Sequence, residues 1–276
     1  MMYDQAYYRG VWGRILKKYG PNHPIEDLGD LSRADILRQA LLAEHRRQAS
    51  VAAIHDYGAG NWLYLDTILG IFPSASGVQV HGFDYSEEAL AYGVERVRLN
   101  GIPSQEVYPH GGDILAHLFA QPSSSVDIVV SLETLEHLER DVETVREFFR
   151  VIVPGGCMIL SVPNIRPFPM SRNFFSYVFF RKKFTEKDVR VGHLRRYSIP
   201  DLRALAESAG FSVEETWPYG MLCSDYLKPI AAFGGLWARA AFAVVRMENR
   251  MGRRWGVGAS EGFFLLCRKP KTASSC

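Results

Sequence analysis

The chain has little cysteine, and no pattern in what it has. Its four cysteines, Cys157, Cys223, Cys267 and Cys276, are scattered over 276 residues. None forms a C-x-x-C or a metal-ligand spacing, which excludes a disulfide framework and a zinc module. Cys157 and Cys267 lie inside apolar runs and are expected in the core, as suits a reducing, cytoplasmic location. No run of about 18 uncharged apolar residues occurs, so no spanning helix is expected. The opening M-M-Y-D-Q-A-Y-Y-R-G lacks the charged-then-apolar layout of a secretion signal. Charge of either sign is scarce in excess: 32 Lys and Arg meet 30 Asp and Glu, a net +2. That balance gives no global polyanion-binding character, and nucleic acid is not an expected partner. Internal repeats and low-complexity stretches are absent too. What remains is an ordinary globular composition, 47% hydrophobic and 22% charged, long enough for one large α/β domain or two small ones.

Strand and helix patterns alternate along most of the chain. A helix over 31–47 carries Ile36, Leu37, Ala40 and Leu41 at helical spacing. Strands are expected near 51–56, 78–84, 105–109, 126–132 and 158–162, each followed by a helical or turn segment. The helix after the first begins at Asn61, the second is capped by Ser86, and the fourth is capped by Asp141 with Val142, Val145 and Phe149 inward. Ser198 and Asp201 form a capping box ahead of Leu202 and Leu205. Strands at Phe211–Trp217 and Phe263–Cys267 follow. Val126-Asp127-Ile128-Val129-Val130-Ser131-Leu132 looks buried on both faces, as central parallel strands are. The expected fold class is doubly wound α/β with right-handed crossovers.

The glycine turn at Ala52–Trp62, A-A-I-H-D-Y-G-A-G-N-W, lies where open α/β sheets bind ligands, outside the carboxyl end of a strand. It lacks two things. Leu63 stands where a dinucleotide turn, G-x-G-x-x-G, has its third glycine, which argues against NAD or FAD. No Lys-Ser or Lys-Thr follows, which excludes a phosphate-cradling loop. Asp56 would repel a phosphate but suits a positive amino group. Asp84 ends the second strand, where a carboxylate accepts from both ribose hydroxyls. Asp113 follows the third, in reach of an adenine amine, with Ile114 as an apolar flank. Acids for an ammonium, a ribose and an adenine describe S-adenosylmethionine.

D-Y-G-A-G, F-D-Y-S, G-G-D-I, D-I-V-V-S-L-E-T-L-E-H-L and P-G-G…L-S-V-P-N, in that order, resemble the class I S-adenosylmethionine-dependent methyltransferases. The resemblance covers roughly 50–163 and resumes over 193–217 and 260–268. It implies a seven-stranded, mostly parallel sheet with an antiparallel last strand, a Rossmann-like arrangement. It also implies cofactor contacts at Asp56, Gly58, Ala59, Gly60, Asp84, Tyr85, Asp113, Ile114 and Leu132. Residues 1–50 would form an N-terminal helical cap and 51–276 the methyltransferase domain, with insertions at 165–197 and 219–259. The chain departs from the family at Trp62, where another glycine is frequent, and a bulky residue there could narrow the methionine end of the pocket.

Past the buried strand stand Glu133, Glu136 and His137. His137 is the candidate base, since an unperturbed imidazole near pKa 6.5 suits proton removal at neutral pH, and Glu133 is a second candidate catalytic residue. A structural role for Glu136-His137, capping a turn, is the alternative. E-T-L-E-H also resembles the E-x-x-E-H of ubiquinone-biosynthesis O-methyltransferases, whose side chains have been linked to a divalent cation; metal-free relatives carry L-E-H-L as well. Gly192-His193-Leu194-Arg195-Arg196-Tyr197 lies where that group has a histidine segment.

Residues 165–197 hold nine cations against two acids, with many aromatics such as Phe168, Phe179 and Phe180. A flat or lipidic small-molecule acceptor with a negative group, held by His193, Arg195, Arg196 and Tyr197, fits this composition. Peripheral membrane contact through Phe179-Phe180 and Arg181-Lys182-Lys183 fits it also, as does a solvated basic face. Three function classes stay open: methyl transfer to a hydroxyl of a quinone, lipid, sugar or other metabolite; methyl transfer to protein or nucleic acid; and a non-catalytic cofactor-binding partner. The lack of N-P-P-Y or D-P-P-Y disfavours DNA amino groups.

Overall fold

The computed structural model describes residues 28–48, 50–73, 76–99, 101, 103, 106–165, 186–220, 227, 235–255 and 260–271. In chain order the elements are α1 (Leu28–Arg47), β1 (Ala53–Tyr57), α2 (Leu65–Leu69), β2 (Gln79–Asp84), α3 (Glu87–Leu99), β3 (Val107–Gly111), α4 (Ile114–Ala120) and β4 (Val126–Leu132). They continue as α5 (Asp141–Val151), β5 (Ile152–Pro163), α6 (Glu186–Val191), α7 (Ile199–Ser208), β6 (Ser212–Tyr219), α8 (Gly235–Trp255) and β7 (Gly262–Arg268). The sheet has seven strands in the order β3-β2-β1-β4-β5-β7-β6. β1 to β5 are parallel, while β7 runs antiparallel to both β5 and β6.

Successive side chains of a strand point to opposite faces, and the core splits accordingly. Ile54, Val80, Ile128, Val130, Ile159, Phe264 and Leu266 pack with Ile36 and Leu37 of α1, Leu65 and Ile68 of α2, and Leu90 and Val97 of α3. Val129, Met158, Leu160, Val162, Phe263 and Leu265 pack with Ile114 of α4, Val145 and Phe148 of α5, and Leu202 of α7. Cys157 and Cys267 are buried and unbridged. The doubly wound sheet and its antiparallel last strand are as the sequence implies. Strand order reverses between β1 and β4, so the ends of those two strands form the cleft where ligands bind in such sheets.

Several local expectations need correction. No helix starts at Asn61; a turn runs to Tyr64 and α2 begins at Leu65, because Trp62 sits at φ 54°, outside the helical region. Arg140, not Asp141, occupies the cap position of α5; the Asp141 carboxylate instead accepts from the Tyr197 hydroxyl at 2.6 Å and pairs with Arg195 at 2.5 Å. Val142 points outward, 42% exposed, while Thr144, Val145, Phe148 and Val151 face in. Ser198 does cap α7, accepting from the Asp201 amide, and Ser86 accepts from the Ala89 amide at 3.2 Å. The insertion expected at 219–259 contains the 21-residue helix α8, in keeping with a helix packed on the domain. Tyr3, Tyr7, Tyr8 and Trp12, and the aromatics of 168–184 with Arg181-Lys182-Lys183, lie outside the described residues. Among the described residues no helix is long and apolar enough to cross a membrane.

Candidate cofactor and catalytic site

The β1 turn is held to β2 by two amides, Gly58 N–H and Ala59 N–H, both donating to the Phe83 carbonyl at 2.8 and 3.1 Å. Gly58 takes φ 82°, and a Cβ there would stand 2.0 Å from the Thr134 hydroxyl oxygen. Only glycine fits, both for the backbone region and for the space. Gly60 donates its amide to Asp84 Oδ2 at 2.8 Å, and Ser86 donates to Asp84 Oδ1 at 2.9 Å. Those amides fix the carboxylate at the end of β2. Burial raises Asp84 above the usual carboxylate range, and the backbone donors from Ser86, Gly60 and Tyr85 offset part of that. Asp56 is also buried, and its carboxyl is pushed up to about 7 by burial first and the Asp84 charge second. The Trp62 indole opposes that shift, yet its Nε1 makes no contact within hydrogen-bond geometry; its pull on Asp56 is that of a nearby dipole.

Trp62 is fully buried. A Cβ on Gly82 would lie 2.1 Å from its ring, and one on Gly93 would lie 2.6 Å from its own Cβ. The indole therefore fills the gap between β2 and α3, and the small residues this close packing needs have moved onto the partner elements. Arg96 fixes the turn by donating to the Trp62 carbonyl at 2.9 Å while pairing with Asp66 at 2.7 Å. Trp62 is a core residue here.

At the end of β3, Asp113 caps α4 by accepting from the Ala116 amide at 2.9 Å and takes the Tyr85 hydroxyl at 2.8 Å. Ile114 is 2% exposed and packs inward. Leu132, at the end of β4, is nearly buried.

Glu133 leaves β4 at φ 53°, a strained region for a non-glycine residue. The distortion aims its carboxylate at a polar knot: Ser161 and Tyr219 hydroxyls donate to its Oε1 at 3.0 and 2.8 Å, and Arg33 stands 3.8 Å from its Oε2. Arg33 comes from α1, where it also donates to the Tyr64 hydroxyl at 2.9 Å and pairs with Asp30. Sequence reasoning missed Arg33, Tyr64 and Tyr219, since nothing in their local patterns distinguishes them from ordinary helix and strand residues.

Glu136 goes the other way, into the protein. It is 0% exposed, and neither carboxylate oxygen has a hydrogen-bond partner. Burial, and then the Glu133 charge, raise its pKa well above the ordinary value. Its Oε1 faces His193 Nε2 at 3.7 Å and His137 Nε2 at 3.9 Å, too far for hydrogen bonds. Each imidazole is oriented through its other nitrogen. His137 Nδ1 lies 3.0 Å from the Gly192 carbonyl, and His193 Nδ1 lies 2.7 Å from Asp188 Oδ1. Arg196 donates to that same oxygen at 2.7 and 2.9 Å. Burial, with His193 beside it, lowers His137 to about 4, so the near-neutral pKa that recommended it as a base is not what the fold provides. Glu136, His137 and His193 are, among the described residues, the group whose donor atoms lie within 4.8 Å of one another. The Leu194 amide donates to the Glu136 carbonyl at 2.8 Å, which ties the two segments together.

The sequence-expected acceptor residues divide. His193 joins the cluster. Arg195 and Arg196 are committed to Asp141 and Asp188, and Tyr197 is nearly buried on Asp141; an anion there would have to displace those carboxylates.

The sequence profile of a methyltransferase-domain family matches residues 55–160, the stretch from β1 to β5 that builds this site. A probable S-adenosylmethionine-dependent methyltransferase of Mycolicibacterium smegmatis is 33% identical over 138 residues, 50% of this chain and 45% of that protein. A ubiquinone biosynthesis O-methyltransferase of Burkholderia multivorans is 27% identical over 161 residues, 58% of this chain and 61% of that protein. The chain thus spans less than two thirds of the length of these relatives. Among solved structures, phosphoethanolamine N-methyltransferase 2 of Haemonchus contortus, in complex with S-adenosyl-L-methionine, has a TM-score of 0.56 at 17% identity, covering 95% of this chain and 60% of that one. That last likeness shows the fold alone. The stretch from β1 to β5 is thus similar to the methyltransferase-domain family, and the seven-stranded order with antiparallel β7 extends around it.

Proposed function

We propose that the protein transfers a methyl group from S-adenosylmethionine to a hydroxyl of a small acceptor, of the quinone, lipid, sugar or related metabolite kind. The observation that carries this reading is the cluster past β4: a buried, unpartnered carboxylate, Glu136, opposite two oriented imidazoles. The residues of the β1 turn suit the cofactor. The Gly58 amide region admits no side chain, Asp84 is held by two amides at the strand end, and Asp56 is buried with its pKa raised, so that a cationic partner would favour its ionised form. When bound, S-adenosylmethionine supplies an electrophilic methyl on a sulfonium. Asp56 would meet its ammonium, Asp84 its ribose and Asp113 its adenine edge.

The chain's own chemistry is then proton removal and positioning. His193 is the better-built base. Asp188 holds its Nδ1, leaving Nε2 toward the cluster, which is the arrangement that fixes an imidazole tautomer for proton transfer. His193 Nε2 would accept the acceptor O–H proton, while S-adenosylmethionine, held by Asp56, Asp84 and Asp113, would supply the methyl group. Such a base contributes roughly 10²–10⁴-fold, and positioning about 7–11 kcal/mol. The likeness to a ubiquinone biosynthesis O-methyltransferase supports a hydroxyl acceptor of the quinone class. A second reading has its own observation: two imidazoles and a carboxylate converge, and one imidazole is backed by a carboxylate, a frequent arrangement around metal-binding histidines. A divalent cation held there would lower the pKa of a bound hydroxyl.

Calorimetry with S-adenosylmethionine and S-adenosylhomocysteine tests the cofactor, and absence of binding by both would refute the whole reading. Radiolabel transfer to quinol, lipid and sugar extracts, against protein and RNA fractions, tests the acceptor class. His193→Gln is expected to lower turnover at least about a hundredfold with cofactor affinity unchanged. If a chelator abolishes turnover and magnesium or manganese restores it, the metal reading replaces the imidazole base.

A further inference from the structure

The helix α8 carries three distinct stripes. Ala241, Val245, Glu248, Asn249 and Gly252 are buried and pack on α1 and β6. Ser32 donates to Asn249 Oδ1 at 2.7 Å, and Asn249 Nδ2 donates to the Ser32 carbonyl and to Asp35, both at 3.2 Å. Those bonds lock the rotation of α8 and fix what faces outward. One outward stripe, at spacings of seven, four and three, is Arg239, Arg246, Arg250 and Arg253, all exposed. The stripe beside it, at spacings of three and four, is Trp237, Ala240, Val244, Met247 and Met251. Trp237 is 61% exposed and Met247 53%. The one acid on this helix, Glu248, is on the buried side.

Arg253 pairs with Glu215 at 2.7 Å, and Arg246 lies over the Phe242 ring at 4.6 Å. Arg239 and Arg250 have no ion-pair partner among the described residues. A row of arginines beside an apolar row in which Trp237 and Met247 stand exposed and Val244 and Met251 are half-buried, on a helix held flat against its domain, is more than a solvated basic face requires. A second copy of the chain fits it poorly, because a two-fold pairing of this face would set arginine row against arginine row.

We propose that the outward face of α8 docks on a bilayer surface containing anionic phospholipid. The arginines meet the headgroup phosphates while their stems lie along the interface, and Trp237 and Met247 enter the headgroup boundary. The inference is independent of the methyl-transfer reading and uses none of its residues. Contact is shallow, since the third stripe is already buried in the domain.

Sedimentation with phosphatidylcholine vesicles, with and without phosphatidylglycerol, at low and high salt, tests it on the full chain. Binding is expected only to the phosphatidylglycerol vesicles and is expected to fall with salt. The pair Arg239→Glu and Arg250→Glu should weaken it at least about tenfold. Trp237→Ser should remove the vesicle-induced blue shift of tryptophan emission. All three side chains are exposed, so the variants should melt with the wild type. No binding to phosphatidylglycerol vesicles overturns the proposal, as does undiminished binding by the double variant or equal binding to neutral vesicles. A dimer in light scattering that Trp237→Ser dissociates also overturns it and assigns the face to a second copy.

Discussion

At the scale of single residues, the site is built from conflicts that the fold tolerates. Asp56 is a carboxyl kept near pKa 7 by burial, and a cationic ligand group would favour its ionised form. Cofactor affinity should therefore rise with pH through that value, by about tenfold between pH 6 and pH 8, with proton release visible as a buffer-dependent heat in calorimetry. A pH-independent affinity would remove Asp56 from contact with the cation. Gly58→Ala sets a Cβ 2.0 Å from the Thr134 hydroxyl at φ 82°. It is expected to cost about 1–3 kcal/mol of stability and to abolish cofactor binding, read by thermal melting and titration. Asp188→Asn, in turn, leaves the shape of the His193 pair but removes its charge. The expected outcome is a shifted acid limb in the pH–rate profile, with cofactor affinity untouched. A purely structural Asp188 would move stability without moving that limb.

Among elements, the first three strands and α4 share a feature the site does not use. His55 and His81 are direct cross-strand partners, His81 Nδ1 lies 2.9 Å from His110 Nε2, and the His110 ring is 5.9 Å from that of His117. Tyr57 lies 3.0 Å from His55 Nδ1, and Tyr108, paired with Glu106, stacks on His81. Burial, and then neighbouring imidazoles, lower His55 to about 3 and His81 to about 4. Groups with depressed folded pKa values bind more protons when unfolded, so their contribution to stability is intact above about 6.5 and shrinks as pH falls toward 3. Asp56, Asp84 and Glu136, whose pKa values are raised, act in the opposite sense over the same range. The ladder is therefore best read as a difference: His55→Phe should gain on the wild type as pH falls from 6.5 to 4, by up to about 1.4 kcal/mol per pH unit. Parallel melting curves across that range would show that His55 is not held neutral.

For the whole molecule, α1 acts as a strap across the sheet. Its Glu44 forms a buried pair with Arg268 of β7, at 2.6 and 2.5 Å, and Arg268 also takes Glu214 of β6 at 2.8 Å. Eleven residues earlier the same helix delivers Arg33 to Glu133, Tyr64 and Tyr219. Glu44→Ala would leave a buried guanidinium with half its charge partners, an expected loss of about 3–5 kcal/mol in chemical denaturation. Because α1 positions Arg33 beside Glu133, a candidate catalytic residue, turnover should fall as well. A stable variant with full turnover would show that α1 is not needed at the site.

Much of this was readable beforehand. Alternating strand and helix patterns, the buried run at β4, the glycine turn and the acids at Asp56, Asp84 and Asp113 are local, and local chemistry sets them: strand period, positive φ and the dislike of buried charge. What the chain order could not reveal is which distant groups meet. Sequence alone leaves open whether Trp62 shapes the pocket or packs its helix; Gly82 and Gly93, 20 and 31 residues away, are the space that receives it. His137 is in the sequence a candidate base with a structural role as the alternative, and only the fold shows that burial beside His193, on a segment 56 residues later, lowers its pKa; Asp188 and Arg196 complete that partner. The sequence by itself determined the sheet, its ligand-binding edge and the cofactor class to expect there. Only the tertiary structure decided which carboxylate is starved of partners and which imidazole is oriented, because desolvation and hydrogen bonding depend on contacts that no spacing along the chain records.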